Sequence, residues 1–346
     1  MRVRVALLNT VAPYIRGGAE IAVDSLNHHL QIHGHDSTIF RVPFPYDFGE
    51  PLMSTHLSIR TLRFDHYDRV IAFKFPAYCA QHPRRVMWMF HQFRQVYDLW
   101  GKDGGFQPDP VGIAVRTLVK MADDTEIPKS RHVYVNAQEV ANRLLEHNNI
   151  HCEVLPPPVH DETVYYCGGQ DDYIYYPSRV TSLKRQHLAI EAMKYVKSGV
   201  RLMVTGQCPE PNFLAIIRDT ICKNNLEKKV IFRNEWIDEE EKIKLLANSL
   251  GVIYIPLLED SCGYVTMEGF YSRKPVITCY DSGGTKELVE NSRTGFISEP
   301  TPQKLAEAMD LLYEDKTKAE KMGQAAFEEI TQRELTWEHT INKLLL

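Results

Sequence analysis

Short apolar runs rich in β-branched residues alternate along the chain with longer stretches whose apolar residues recur at helical spacing. In the first half, the short runs predict strands at residues 3–8, 37–42, 69–73, 85–90 and 132–136. The longer stretches predict helices at residues 19–33, which Gly34 would end, and at residues 138–148. Alternation of this kind is typical of βαβ units with a parallel sheet.

The pattern is interrupted at residues 155–160, where Pro156, Pro157 and Pro158 follow one another. Consecutive prolines continue neither a helix nor a central strand, and they form a stiff extended connector. Beyond the break, the pattern predicts strands at residues 173–176, 201–205, 230–233, 251–255 and 275–278. Helices are predicted at residues 186–195, 212–224, 238–248, 266–272 and 302–313.

We therefore predict an α/β protein with two Rossmann-like, doubly wound domains that face a cleft. The N-terminal domain would span residues 1–158 and the C-terminal domain residues 159–330, with residues 331–346 as a C-terminal helix that crosses back to the first domain. A chain of 346 residues is long enough for two cores. Ligands of such domains bind beyond the carboxyl ends of the strands, so we look for site residues there.

Charge and composition restrict the classes of partner that the protein is expected to bind. The net charge of −5 argues against nucleic acid, because binding to its backbone needs a concentrated basic surface. The first 150 residues hold 17 Lys and Arg against 15 Asp and Glu, an excess too small to indicate an anionic partner. Seven cysteines form no Cys-x-x-Cys pair and predict reduced, buried thiols. We expect a cytoplasmic protein whose membrane contact, if it has any, is peripheral at the inner face.

The densest group of candidate site residues lies in residues 258–284. Asp260 precedes Glu268 by eight residues, Gly263 lies in the turn between them, and Gly283-Gly284 closes the next loop. Amides at a turn that opens a helix favour a phosphate, and a carboxylate on that helix can accept the hydroxyls of a ribose. The alternative is that Glu268 is only a favourable first-turn charge and Asp260 a loop or cap residue.

Two further segments carry candidate anion ligands. Arg179 and Lys184 follow a predicted strand and precede a helix, where they suit a diphosphate or are simply two solvated cations. Gly17 and Gly18 follow the first strand, where they either let a ligand approach the backbone or form an ordinary turn. His91 ends an apolar strand and is either a site residue or a structural histidine.

Neither a metal site nor a hydrolase site is predicted. The histidines at 28, 29, 33 and 35 lie on or just after a surface helix without metal-ligand spacing, and no Gly-x-Ser-x-Gly elbow occurs. We expect no cofactor.

Taken together, these motifs resemble retaining glycosyltransferases of the GT-B fold, in particular the large family four, also called glycosyltransferases group 1. The family's Glu-x7-Glu signature corresponds to Asp260 and Glu268, its Arg-x4-Lys pair to Arg179 and Lys184, and its Gly-Gly loop to Gly17-Gly18. The resemblance covers nearly the whole chain and is strongest at residues 175–192 and 257–295.

The resemblance implies a role for each motif. Arg179 and Lys184 would neutralise the leaving diphosphate, Glu268 would hold the ribose, and amides near Tyr264, Val265 and Thr266 would bind phosphate. Asp260 would contact the transferred sugar in a pocket that Ser261, Cys262 and Gly263 line, and His91 would reach that sugar from the other domain. The loop that contains Trp236 and Ile237 would contact the nucleobase.

The implied activity is metal-independent hexose transfer, with retention, to a glycan or a lipid-linked acceptor. The donor would be a UDP- or GDP-linked nucleotide sugar that acts as a co-substrate. Two departures bear on the donor sugar: Asp260 is one methylene shorter than the usual Glu, and Ser261-Cys262 replaces the usual Gly-Phe. Two alternatives remain open, namely a non-catalytic module that binds sugar nucleotides and a GT-B epimerase of sugar nucleotides.

Overall fold

The structure is a computed structural model that describes residues 2–13, 17–44, 49–102 and 104–346. The chain forms two compact units. Unit 1 contains Met1–His160 together with Leu335–Leu346, and unit 2 contains Asp161–Glu334. The chain therefore leaves unit 1 directly after the three prolines and returns to it for the last 12 residues.

Unit 1 is built on a six-stranded parallel sheet with the strand order β2-β1-β3-β4-β5-β6. The strands are β1 Arg4–Val11, β2 Asp36–Pro43, β3 Arg69–Ala72, β4 Arg85–Met89, β5 His132–Val135 and β6 Glu153–Val154. Every residue of β3 and β4 is buried, as expected of central strands that helices cover on both faces.

Unit 2 repeats this plan in residues 161–334, with the strand order β12-β11-β10-β7-β8-β9 and all pairs parallel. Its strands are β7 Tyr173–Pro177, β8 Arg201–Thr205, β9 Val230–Arg233, β10 Gly251–Ile253, β11 Val276–Cys279 and β12 Gly295–Ser298. The order reverses between β10 and β7, which places the topological switch point, where such sheets bind ligands, at these two strands.

Helices connect the strands in both units. Those of unit 1 are α1 Gly18–Ile32, α2 Gly49–Thr61, α3 Pro110–Glu126, α4 Gln138–Asn148 and, at the end of the chain, α11 Trp337–Leu345. Those of unit 2 are α5 Gln186–Ala192, α6 Pro211–Lys223, α7 Glu239–Asn248, α8 Tyr264–Tyr271, α9 Pro302–Glu314 and α10 Lys316–Gln332.

The last helix packs within unit 1. The Trp337 ring stacks on His29 with 5.0 Å between ring centroids, and its Nε1 donates to the Val159 carbonyl at 2.8 Å. At the other end of α11, Tyr134 Oη donates to the Lys343 carbonyl at 3.1 Å. The helix thus covers strands β4 and β5, where Trp88 lies edge-on to Trp337 at 6.4 Å.

Two corrections concern regions outside the site. Helix α5 ends at Ala192 and not at residue 195 as predicted. The amides of the next three residues bond to carbonyls three residues back, which tightens the chain into a turn. All seven cysteines are free, but the expectation of burial is wrong for Cys167 and Cys222, which are exposed. In the described part of the chain, no helix combines the length and apolarity that a bilayer crossing requires.

Candidate active site

A glycine opens helix α8 in unit 2. Gly263 has φ of +79°, and a Cβ at this position would lie 2.5 Å from the Tyr254 ring, so the turn requires glycine on both counts. Tyr264 and Val265 are the first two helical residues, and their amides therefore have no partner inside the helix. Together with the helix dipole they form a site that favours an anion.

Polar groups around this turn are buried. Within the described residues, Thr266 Oγ1 and Tyr264 Oη have no hydrogen-bond partner although both atoms are inaccessible to solvent. Ser261 Oγ accepts a hydrogen bond from the Gly263 amide at 3.2 Å, and burial raises the pKa of the Cys262 thiol to about 12. Two hydroxyls at this turn are thus unsatisfied within the protein, and the Cys262 thiol stays neutral.

Lys184 reaches this turn from the loop between β7 and α5. Its Nζ donates to Tyr254 Oη at 2.7 Å and forms an ion pair with the Glu259 carboxylate. The Lys184 carbonyl accepts from the Tyr176 hydroxyl, which fixes the backbone from which the side chain extends. The ammonium is therefore positioned between a phenol and a carboxylate at the carboxyl end of the sheet.

Arg179 lies on the same loop and is exposed. Its guanidinium lies close enough to lower the pKa of Tyr254, although burial, the largest effect, holds that pKa well above its ordinary value. Gly206 makes room for this loop, because a Cβ there would lie 2.0 Å from the Ser178 carbonyl oxygen. Arg179 and Lys184 thus both lie near Tyr254, and their action as a pair on a diphosphate stays a prediction.

A second arginine braces the loops that carry these groups. Arg185 is buried, and both of its Nη atoms bind the Asp281 carboxylate, at 2.8 and 2.7 Å. Its Nε donates to the Ile255 carbonyl at 2.6 Å. Because one side chain ties together the segments after β7, β10 and β11, we assign Arg185 a positioning role that the sequence did not reveal.

Asp260 is buried in the loop before the turn. Backbone bonds hold this loop: the Gly284 amide donates to the Glu259 carbonyl at 2.9 Å, and the Leu258 amide donates to the Asp281 carbonyl at 2.9 Å. A Cβ on Gly283, whose φ is +61°, would lie 2.2 Å from the Glu259 carbonyl oxygen. The Gly283-Gly284 pair therefore packs directly against this loop and supports its backbone.

Glu268 lies in the second turn of α8 and is buried. Lys242 from α7 donates to its Oε1 at 2.9 Å, and the Tyr165 hydroxyl also bonds to the carboxylate. Burial would lower the pKa of Lys242, but the charges of Glu268 and Glu239 outweigh it and raise this pKa. A ribose that binds Glu268 would have to share the carboxylate with the Lys242 ammonium and the Tyr165 hydroxyl.

Trp236 and Ile237 follow strand β9. Trp236 is 74% exposed, which is unusual for so large an apolar ring, whereas Ile237 is half-buried. Asn234 turns inward and accepts a hydrogen bond from the Cys208 amide at 2.7 Å, so it ties this loop to the one after β8. An exposed indole beyond a strand end is suited to stacking on a planar ring.

In unit 1, the Gly17-Gly18 turn at the start of α1 is held by two charged residues. Glu20 Oε2 accepts from the Gly17 amide at 3.0 Å, and Glu20 Oε1 accepts from Lys74 Nζ at 3.0 Å. Burial alone would raise the pKa of the Glu20 carboxyl, but Lys74 and the Gly17 amide outweigh it and lower this pKa. The glycine turn is thus fixed by a buried ion pair.

His91 follows strand β4 in unit 1, and Lys74 follows the neighbouring strand β3. Burial, reinforced by the Lys74 charge, lowers the pKa of His91 to about 4, so the ring is neutral near pH 7. Its Nδ1 lies 2.8 Å from the Gln92 carbonyl and must donate to it, because a carbonyl oxygen only accepts. This tautomer leaves Nε2 as a hydrogen-bond acceptor.

The structure therefore collects two groups of predicted residues. Around the start of α8 in unit 2 it brings together Arg179, Lys184, Asp260, Ser261, Cys262, Gly263, Tyr264, Val265 and Thr266, with Glu268 one turn further along the helix. At the strand ends of unit 1 it collects Gly17, Gly18 and His91. Their contacts with a ligand stay a prediction.

Sequence reasoning missed Lys74, Glu20, Tyr254, Glu259 and Lys242. A usable signal existed for Lys74, which is a charged residue just after the apolar run of residues 70–73. Lys242 lies in a helix with three glutamates in its first turn, so the sequence alone makes it an ordinary surface lysine. Among the described residues, no group of three or more His, Cys, Asp or Glu side chains is arranged to hold a metal ion.

Comparison with known proteins identifies the family of unit 2. A family described as glycosyl transferases group 1 matches residues 168–329. This part of the chain belongs to that family. The group 1 match includes every candidate residue of unit 2, from Arg179 to Glu268.

Curated relatives of the chain include the alpha-1,3/1,6-mannosyltransferase ALG2 of Dictyostelium discoideum, which is 35% identical over 119 residues, and ALG2 of Mus musculus, which is 31% identical over 117 residues. Each match covers 34% of this chain and 28% of the relative. These relatives thus share part of the chain, not its whole length.

Solved structures match almost the whole chain. HepE of Anabaena, in complex with UDP and glucose, covers 98% of this chain and 99% of its own with a TM-score of 0.74 at 18% identity. Sucrose-phosphate synthase of Thermosynechococcus elongatus covers 99% of this chain and 98% of its own with a TM-score of 0.79 at 16% identity. At these identities the likeness bears on the fold, and the predicted pair of Rossmann-like domains of the GT-B type is confirmed.

Proposed function

We propose that the protein is a retaining glycosyltransferase that moves a hexose from a nucleotide-diphosphate sugar to a glycan or lipid-linked acceptor without a metal ion. The observation that carries the proposal is the cluster at the start of α8. Two cations, Arg179 and Lys184, lie beside Tyr254, whose ring packs against the glycine turn that presents the first amides of the helix. Fixed positive charge of this kind supports the departure of a diphosphate.

The proposed reaction breaks the bond between the anomeric carbon and the β-phosphate oxygen. The acceptor hydroxyl oxygen forms the new bond on the same face of the sugar, and its proton passes to the departing phosphate. Arg179 can fork to two phosphate oxygens, whereas Lys184 supplies a point charge. Because these cations and the α8 amides can stabilise the developing charge, the transfer proceeds without a cofactor.

Different residues hold different parts of the donor. In this proposal Glu268 accepts the ribose hydroxyls, Trp236 stacks on the nucleobase, and Asp260 meets the transferred sugar beside Ser261 and Cys262. The named activity of the ALG2 relatives favours mannose as the sugar, while the UDP and glucose in the HepE structure make UDP-glucose the second candidate. We further propose that the protein works in the cytoplasm and that any membrane contact is peripheral.

A thermal-shift screen against UDP- and GDP-linked sugars tests the donor without knowledge of the acceptor. A ligand that binds only the native state raises the midpoint of unfolding. At a concentration of 100 times its dissociation constant, it raises the free energy of unfolding by about 2.7 kcal/mol. Donors that give a shift are then incubated with the protein, and the release of nucleoside diphosphate is followed over time. Binding of a donor without release to water or to any acceptor would favour the non-catalytic module, and isomerised donor seen by NMR would favour the epimerase.

Lys184→Ala tests the leaving-group role. We expect transfer to fall by about 10²–10³-fold or more, because the variant loses a fixed charge that acts on the developing negative charge. Lys194→Ala, at an exposed position of the same unit, is the matched control and should retain full activity. The measurement is donor turnover in both variants, with circular dichroism to show that they fold. Near-normal turnover in folded Lys184→Ala would remove Lys184 from this role.

A further inference from the structure

One carboxylate of the α8 cluster has no role in the proposed reaction. The Glu259 side chain forms an ion pair with Lys184, and the Tyr254 hydroxyl donates to its Oε2 at 3.2 Å. The same hydroxyl accepts from Lys184 Nζ at 2.7 Å, so the three groups form a closed triangle. A carboxylate therefore holds the ammonium that the proposed function assigns to a diphosphate.

We propose that Glu259 is a built-in competitor for the diphosphate at Lys184. It occupies the ammonium in the ligand-free protein, gives way to the donor diphosphate, and returns to Lys184 as the nucleoside diphosphate leaves. This inference rests on the proposed function and adds to it a residue that governs how tightly the spent nucleotide is held.

The loop backbone allows this exchange without refolding. The Glu259 carbonyl is fixed by the Gly284 amide and lies against Gly283, and the neighbouring Leu258 amide is bonded to Asp281. The Leu257 amide donates to the Leu183 carbonyl at 2.8 Å, which ties this loop to the one that carries Lys184. Rotation of the Glu259 side chain can therefore change the partner of Lys184 while these backbone bonds stay in place.

Charge provides the competition. Carboxylate and phosphate oxygens are both acceptors for the N–H groups of an ammonium, and two anions at one cation repel each other. While Glu259 is paired with Lys184, the pair presents no net charge to an entering diphosphate. Side-chain exposures of 21% for Lys184 and 17% for Glu259 leave both groups within reach of a ligand from solvent.

Glu259→Gln removes the charge and keeps the shape. A partly exposed ion pair is worth about 1 kcal/mol, which corresponds to about fivefold in a dissociation constant. We therefore expect the variant to bind a diphosphate about fivefold more tightly. Glu227→Gln makes the same change at an exposed position of unit 2 and should leave binding unchanged.

The probe is inorganic pyrophosphate, because it carries the diphosphate without a base or a sugar. Its dissociation constant is measured by isothermal titration calorimetry on the full chain for the wild type, Glu259→Gln, Glu227→Gln, Lys184→Met and the double variant. The gain from Glu259→Gln should vanish in the Lys184→Met background, because the competition acts through the ammonium.

Three results would overturn the inference while the proposed function stands. They are weaker binding by Glu259→Gln, an equal gain in Glu227→Gln, and a gain that persists without Lys184. A wild type that binds neither pyrophosphate nor any nucleotide sugar would overturn the proposed function together with the inference. With an active donor, Glu259→Gln should lower KM and kcat together, since tight product binding slows release, whereas a purely structural defect would lower kcat alone.

Discussion

At the residue scale, the site depends on contacts between positions far apart in sequence. Lys184 and Glu259 are separated by 75 positions, and no local pattern relates them. Arg179, Lys184, Gly263 and Glu268 could be proposed from sequence because each follows an apolar strand or lies at or near the start of a helix. Their partners could not, because a lysine on α7 or a glutamate in a loop looks like a solvated charge until the fold brings it to the site.

His91 provides a prediction at this scale. Its pKa of about 4 has burial as its main cause and the Lys74 charge as the second. Histidine NMR titration of the wild type should therefore show a ring that stays neutral down to about pH 5 and protonates near pH 4. In Lys74→Met this pKa should rise, because a positive charge is removed and the Glu20 carboxylate loses its partner.

Lys120→Met, which removes an exposed lysine from α3, is the control and should leave the His91 titration in place. A His91 pKa near its ordinary value of 6.5 in the wild type would contradict the buried, neutral ring. It would also open the alternative that His91 acts as a cation.

At the scale of elements, apolar periodicity located the elements that carry the site. Strands β8 and β9 and helix α4 have the bounds that the sequence predicts, and α8 begins two residues earlier than predicted because Gly263 already opens the helix. Helices α2, α3 and α10 and strands β6 and β12 went unpredicted. Strand β6 has only two residues, too few for a period, and α10 carries mostly polar residues.

Helix α3 contains a buried acid that should make the stability of unit 1 depend on pH. Both Asp123 oxygens accept from tyrosines, Tyr78 and Tyr97, and burial raises the pKa of Asp123 to about 7 from an ordinary 3.8. As the pH rises from 4 to 7, the unfolded chain loses this proton while the folded protein keeps it. The free energy of unfolding should therefore fall over this range.

Asp123→Asn removes the titration, so the difference in stability between variant and wild type should change by about 2 kcal/mol between pH 5 and pH 7. The measurement is urea unfolding at both pH values, with the exposed Asp65→Asn as the control that should follow the wild type. A difference that stays constant with pH would show that Asp123 ionises in the folded protein as it does in the unfolded chain.

At the scale of the whole molecule, the sequence prediction and the structure differ in where the chain crosses between the two units. The sequence predicted a crossing from residue 331, whereas α10 continues to Gln332 and the return to unit 1 starts at Leu335. The proline run marks the first crossing because it prevents regular structure. The second crossing is marked by contacts in the folded protein, such as the stacking of Trp337 on His29 and the hydrogen bond from Trp337 Nε1 to the Val159 carbonyl.

Trp337→Ala should therefore destabilise unit 1. The side chain is 4% exposed, and truncation of a buried tryptophan costs about 3–5 kcal/mol. The matched control is Trp236→Ala, which makes the same change at a position that is 74% exposed, where surface substitutions usually cost less than about 0.5 kcal/mol. Urea unfolding, with hydrogen exchange to assign the transition to β4 and β5, measures both variants.

Equal stability of these two tryptophan variants would mean that α11 adds nothing to unit 1. Loss of protection in the strands of unit 2 instead would mean that the return of the chain serves the other sheet.

The return of the chain to unit 1 also sets an order of events during synthesis. The ribosome makes all of residues 161–334 before it makes the helix that covers β4 and β5. Because domains fold as units while the chain emerges, unit 2 has its complete sequence first. Unit 1, although begun first, keeps the apolar surface around Trp88 uncovered until the ribosome has made residues 335–346. A nascent chain stalled before residue 335 would therefore present this surface to chaperones.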